Sequence, residues 1–258
     1  MSILIAVSGK GGVGKTVITA LMLKAITEEG IEDRAILVID ADPDANLADV
    51  LGIPLDVKKT LGYVATEFKK ELEKASISEV DKATVLQTRV LEVVQELPKF
   101  DFLVMWRTEG EGCYCFVNAV LSNVLEWLMD QYDIILADCE AGLEHFNRRV
   151  FKAIDYLVLV TDQSKASFDT VKRVLDVVHE VGIRVRNVGI VVNKFREHYR
   201  ERVTKLASEI GVEIWGFVPY SEAIEEFMSE ARSLMELPRD EAAYVAVKEV
   251  LKKKIGIL

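Results

Sequence analysis

Gly9-Lys10-Gly11-Gly12-Val13-Gly14-Lys15-Thr16 restricts the fold of this chain more than any other stretch. It satisfies G-x-x-x-x-G-K-[ST] in full, between an apolar run, Ile3 to Val7, and a helical pattern that opens at Lys15. Glycines let the backbone turn tightly enough for several N–H groups to converge, and the start of the following helix adds positive potential there. Polyphosphate is the ligand that such a loop suits. Lys15 is expected to reach the β- and γ-phosphates and the Thr16 hydroxyl to coordinate Mg²⁺. Lys10 stands between glycines, within reach of the same phosphates.

Strand-like runs recur along the chain at Ile3–Val7, Ala35–Asp40, Phe102–Trp106, Ile134–Asp138, Tyr156–Thr161, Val188–Asn193 and Glu213–Val218. Between them lie stretches with apolar residues three and four apart, at Val17–Glu29, Val117–Asp130, Ser167–Val181 and Arg200–Ile210. This alternation predicts an α/β fold, a doubly wound and mostly parallel sheet with helices on both faces. The interruption at Leu55–Lys99 is charged and helical in period, with no strand candidate, and reads as a helical insertion in one domain spanning 1–258. No apolar run approaches the ~18 residues of a membrane span, so a cytoplasmic protein is expected. A net charge of −10 argues against a nucleic-acid surface, and three cysteines are too few for a disulfide scaffold.

The loop, read as KGGVGKT, resembles the deviant Walker A signature of the ATPase group that includes the nitrogenase iron protein, MinD, ParA and the arsenite-pump ATPase. The resemblance implies a nucleotide-dependent homodimer in which Lys10 crosses to the partner's nucleotide and neutralises charge on the transferring phosphoryl group. Asp40-Ala41-Asp42-Pro43-Asp44 resembles the switch I segment of the same group, which puts Asp42 where the attacking water is oriented. Asp40 and Asp44 have a simpler alternative, capping the next helix or holding the loop. Asp138-Cys139-Glu140-Ala141-Gly142 resembles the Walker B and switch II segment, with Asp138 holding Mg²⁺ through a water and Gly142 approaching the γ-phosphate. Cys139 itself reads as a small buried residue.

Nucleotide choice is argued from Asn193-Lys194-Phe195-Arg196. Guanine recognition in related GTPases uses N-K-x-D, whose aspartate accepts hydrogen bonds from the ring, and here Arg196 takes that place. ATP is the better match. The resemblance then gives Asn193 a contact with the base and makes the turn around Pro219 the second base-side loop.

Glu111-Gly112-Cys113-Tyr114-Cys115 separates this chain from other ATPases with the same loop. Its glycines leave the backbone free, and a helix beginning near Val117 would lower the thiol pKa and favour the thiolate. Two thiolates make an incomplete soft-metal site, whereas two chains related by a two-fold axis supply four sulfurs, enough for Zn²⁺ or Ni²⁺. The bland alternative is a pair of core or redox-inert thiols, or a redox switch. KGGVGKT followed about a hundred residues later by C-x-C resembles the CooC-type ATPases that mature nickel carbon monoxide dehydrogenase, and the related protein serving acetyl-CoA synthase. That resemblance implies that Cys113 and Cys115 bind nickel at the dimer interface for such a client. His179 and His198 read as surface bystanders, while His145 follows switch II closely.

Two other functions compete. A MinD- or ParA-like positioning ATPase would use the basic C-terminal helix on a membrane, unless Val245, Val247, Val250 and Leu251 pack it on the core. A nickel GTPase for hydrogenase or urease is disfavoured by Arg196 and by the lack of a histidine-rich tract.

Overall fold

A computed structural model describes residues 2–29, 34–42, 44–74, 79–105, 115–140 and 153–258. Its sheet has eight strands: β1 (Ile3–Gly9), β2 (Ile36–Ala41), β3 (Gln95–Glu96), β4 (Asp101–Val104), β5 (Ile134–Cys139), β6 (Ala153–Thr161), β7 (Arg184–Phe195) and β8 (Ile214–Pro219). They lie in the order β3-β4-β2-β5-β1-β6-β7-β8, and every pairing is parallel except β3 with β4. Central strands buried on both faces read as near-continuous apolar runs, as β2 and β5 do, ILVIDA and IILADC, every residue buried and the one charge in each an aspartate near its carboxyl end.

Nine α-helices are described: α1 (Lys15–Glu28), α2 (Asn46–Leu51), α3 (Leu61–Lys74), α4 (Glu79–Val93), α5 (Cys115–Met129), α6 (Lys165–Val181), α7 (Arg200–Ile210), α8 (Glu222–Ser229) and α9 (Ala242–Val250). Two cores sit on opposite faces of the sheet. One is filled from α3 to α7, by Phe68, Val90, Leu125, Phe168 and Val203 among others, and the other from α1, α2 and α9, by Ile18, Leu21, Leu47 and Tyr244. Helix α6 shows how sequence sets an element. Phe168, Val171, Val174 and Val178 form its buried stripe, Ser164 caps its start by accepting the Ser167 amide, and Gly182 at φ 71 ends it. Helix α1 lacks such a stripe because the returning C-terminal segment covers its outer side. The Lys24 ammonium donates there to Glu28 Oε1 at 2.6 Å and to the Met235 carbonyl at 2.8 Å, and the Tyr244 hydroxyl donates to Glu28 Oε2 at 2.8 Å.

Three details depart from the sequence reading. The 55–99 stretch contains a strand, the two-residue β3, which a run this short cannot announce by periodicity. Strand β7 begins at Arg184, because its first residues are exposed and lack the apolar pattern. Val247, Val250 and Leu251 are buried as expected at the C-terminal end, but Val245 is 43% exposed, on the outer face of α9.

Candidate nucleotide site

The glycine loop leaves the end of β1, the strand flanked by β5 and β6, and runs directly into α1. Open α/β sheets hold ligands at this carboxyl edge. Gly9 lies so close to β6 that a Cβ there would strike the Val160 carbonyl, and Gly14 precedes α1 at φ 91 with its α-carbon facing the Asn193 amide. Asn193 donates to the Val13 carbonyl at 2.8 Å, and Lys194 reaches the Gly12 carbonyl at 3.4 Å. In a trans peptide the N–H points opposite to the C=O, so both interactions turn the amides of Val13 and Gly14 away from β7. No side chain caps α1 and no acidic residue sits in its first turn. Its leading amides are therefore left for an anion.

Three carboxylates gather beside the loop. Asp40 and Asp138 are direct partners in the β2–β5 register, and Asp138 is also opposite Val7 of β1. Asp138 is fully buried; its Oδ1 receives the Thr19 hydroxyl at 3.3 Å, while its Oδ2 is buried with no hydrogen-bond partner. Burial raises its pKa to about 6, with the Thr16 hydroxyl and the Lys15 charge pulling the other way. Asp40 accepts the Asp42 amide at 3.3 Å and the Leu47 amide at 2.9 Å. Asp40, one of the two candidate capping residues, thus receives an α2 amide. Burial, then the Asp138 charge, pushes its pKa to about 8. Asp42 is only half-buried, and one of its oxygens takes the Asp44 amide at 3.0 Å.

A strand, a phosphate loop and acidic strand ends in this arrangement agree with what comparison finds. The CobQ/CobB/MinD/ParA nucleotide binding domain matches residues 4–234. The chain belongs to that family of ParA/MinD-type ATPases. An uncharacterized ATP-binding protein of Methanocaldococcus jannaschii is 38% identical over 254 residues, 98% of each chain. The carbon monoxide dehydrogenase accessory protein CooC of Rhodospirillum rubrum is 31% identical over 188 residues, 70% of each chain. A ParA family ATPase from Chlorobium tepidum shares the fold, with a TM-score of 0.71 at 20% identity over 96% of this chain and 98% of its own.

The buried, unpartnered Asp138 Oδ2 beside Thr16 fits the Mg²⁺ that a ParA/MinD-type ATPase requires: a hard-oxygen donor next to a hydroxyl. Lys15 is 7% exposed and close enough for its charge to act on Asp138. Lys10 is exposed at the loop's outer edge.

Beyond the loop opens a groove of about 790 Å³. Gly14, Thr16, Asn46, Asp49, Met228 and Arg232 are among the residues that line it. Sequence reasoning missed the part of this lining that follows β2 and α8, since those short polar stretches carry no motif. Among the described residues, those other than glycine with positive φ are Ala45, Lys194 and Ala231, at 49°, 51° and 52°. Each borders the groove or the loop, so backbone strain is concentrated where a ligand would lie. Asn193 spends its amide on the loop, and Pro219 ends β8 opposite Phe195, with the next residue, Tyr220, under the Arg196 guanidinium at 5.8 Å. Neither Asn193 nor Pro219 lines the groove.

Cys113, Gly142 and His145 lie outside the described residues, and of Cys115 only its place as the first residue of α5 is described. Among the described residues no group of three or more His, Cys, Asp and Glu side chains could hold a metal ion. His179 and His198 are exposed, and Cys139 is fully buried, its thiol pKa driven upward by burial.

Proposed function

We propose that the chain is a Mg-ATP-dependent, homodimeric ATPase that binds nickel through Cys113 and Cys115 at its dimer interface. Its cycle would assist nickel insertion into carbon monoxide dehydrogenase or acetyl-CoA synthase. The observation that carries this reading is a conjunction: the lysine-bearing loop and the C-x-C segment in one chain, which is 31% identical over 188 residues to a carbon monoxide dehydrogenase accessory protein.

The protein's own groups divide the work. Loop amides and Lys15 grip the β- and γ-phosphates, Asp42 orients the attacking water, and Lys10 of each protomer neutralises charge on the other's phosphates. Thr16 and Asp138 hold Mg²⁺, which supplies charge neutralisation on the phosphate oxygens. The groove takes the ribose side of the nucleotide, while Asn193 and Pro219, outside the groove, flank the base. Arg196 offers only donors where guanine needs an acceptor, which favours ATP over GTP. Nickel is the cargo, held by four thiolates when two copies meet. Zinc suits the same sulfurs and is the control metal.

A positioning ATPase acting on a membrane through the C-terminal helix finds less support. The apolar residues it would need, Val247, Val250 and Leu251, are buried, and among the described residues no helix is long and apolar enough to cross a membrane.

Titrating the reduced protein with Ni²⁺, while following dimerisation by light scattering, tests the reading. About one Ni²⁺ per dimer is expected, lost in Cys113→Ser and in Cys115→Ser. Undiminished binding in both variants rejects the metal site and leaves the ATPase reading standing.

A further inference from the structure

Of the described residues, two with charged side chains line the groove, Asp49 on α2 and Arg232 after α8. Arg232 is already engaged. Its guanidinium lies 3.8 Å from the centre of the Phe227 ring and pairs with Glu230 Oε2 at 3.3 Å. The Asp49 carboxylate is exposed and, among the described residues, has no hydrogen-bond or ion-pair partner. A firm scaffold presents it. Leu47, Ala48, Val50 and Leu51 are buried on the inner side of α2, and Asp40 Oδ2 accepts the Leu47 amide near its start. At its end the Leu51 carbonyl accepts the Ser233 hydroxyl, and Gly52 closes the helix at φ 71. Asn46, one turn before Asp49, lines the same groove.

A free carboxylate suits only part of a nucleotide. Phosphate oxygens accept hydrogen bonds and carry negative charge, so a carboxylate repels them, whereas the 2′- and 3′-hydroxyls of the ribose can donate to it. Resting on the reading that the groove takes the ribose side of the nucleotide, we propose that Asp49 binds the ribose: its carboxylate accepts hydrogen bonds from the 2′- and 3′-hydroxyls and so selects ribonucleotides over deoxyribonucleotides. Vicinal hydroxyls match the two oxygens of one carboxylate, and bonds to an ionised acceptor are the stronger kind. Asp49 also lies in the first turn of α2, where an acidic residue favours the helix whatever the ligand. A role confined to the helix would change every affinity by the same factor and leave their ratios alone.

Equilibrium binding of ATP, 2′-deoxy-ATP, 3′-deoxy-ATP and inorganic triphosphate, each with Mg²⁺, tests the assignment in the wild type, Asp49→Ala and Asp49→Asn. The wild type should bind ATP about tenfold more tightly than each deoxy form, the loss expected for one hydrogen bond to a charged group. In Asp49→Ala that preference should vanish, with ATP weakened to the level of the deoxy forms. Inorganic triphosphate, which carries no ribose, should bind as before. Asp49→Asn keeps one acceptor oxygen and should retain part of the preference. A wild type that binds all three nucleotides equally overturns the role of Asp49 without any variant, and a preference that survives intact in Asp49→Ala overturns it too. Either result leaves the nucleotide site standing. A wild type that binds inorganic triphosphate and none of the nucleotides rejects the groove as the ribose side, and the role of Asp49 with it.

Discussion

The side-chain amide of Asn193 donates to the carbonyl of Val13 at 2.8 Å, joining two buried residues 180 positions apart. This bond sets the direction of the loop's peptide planes, so its loss should be felt by the ligand. Asn193→Ala is expected to weaken ATP binding about tenfold and to cost about 1 kcal/mol of stability. Equilibrium binding and urea unfolding measure the two effects, and unchanged affinity would mean that the glycines hold the loop unaided.

Stability of the nucleotide-free protein, kept in chelator, should fall as pH rises through the neutral range. Asp40 moves from 3.8 to about 8 on folding and Asp138 from 3.8 to about 6, so between about pH 4 and 8 the folded state binds more protons than the unfolded one. The slope of stability against pH is then negative across that window. Asp40→Asn should flatten its upper part. A thermal midpoint that climbs from pH 5 to pH 8 would contradict both shifts.

Met228 lines the groove that Val17 also lines, and is 43% exposed. Met228→Asp places a carboxylate where an uncharged nucleoside is expected, and ATP affinity should fall about tenfold through lost apolar contact. Inorganic triphosphate, which needs only the loop, should bind as before. Equal losses for both ligands would place the nucleoside elsewhere.

Lys24 has a side chain only 3% exposed and pairs with Glu28 at 2.6 Å. In Lys24→Met, Glu28 keeps the Tyr244 hydroxyl and Arg239 but loses its nearest cation. The expected cost is about 3 kcal/mol, as for removal of one partner from a buried ion pair. Urea denaturation reads it directly.

Glycines and apolar runs carried most of the architecture into view, because a parallel sheet buried on both faces writes its strands as continuous hydrophobic segments. All seven strands expected from such runs are present, whereas β3 and the exposed first residues of β7 lack that signature. The loop was equally readable, since φ 81 at Gly12 and φ 91 at Gly14 demand the residue type that the motif records. The groove walls were not. Ala45 and Ala231 adopt left-handed backbone with no glycine to mark it, and the segments around them meet through long-range contacts such as the Ser233 hydroxyl donating to the Leu51 carbonyl.

The place of β1 in the sheet has a consequence for how the protein is made. This strand is synthesised well before both of its neighbours, β5 and β6, which begin only at Ile134 and Ala153. At roughly 5–20 residues per second, the ribosome would leave its apolar edges unpaired for about 8–30 s. The phosphate loop therefore acquires its shape late, once β5, β6 and the Asn193 amide are in place. Nascent chains of this protein are expected to depend on chaperones during that interval, and slow refolding should track recovery of nucleotide binding.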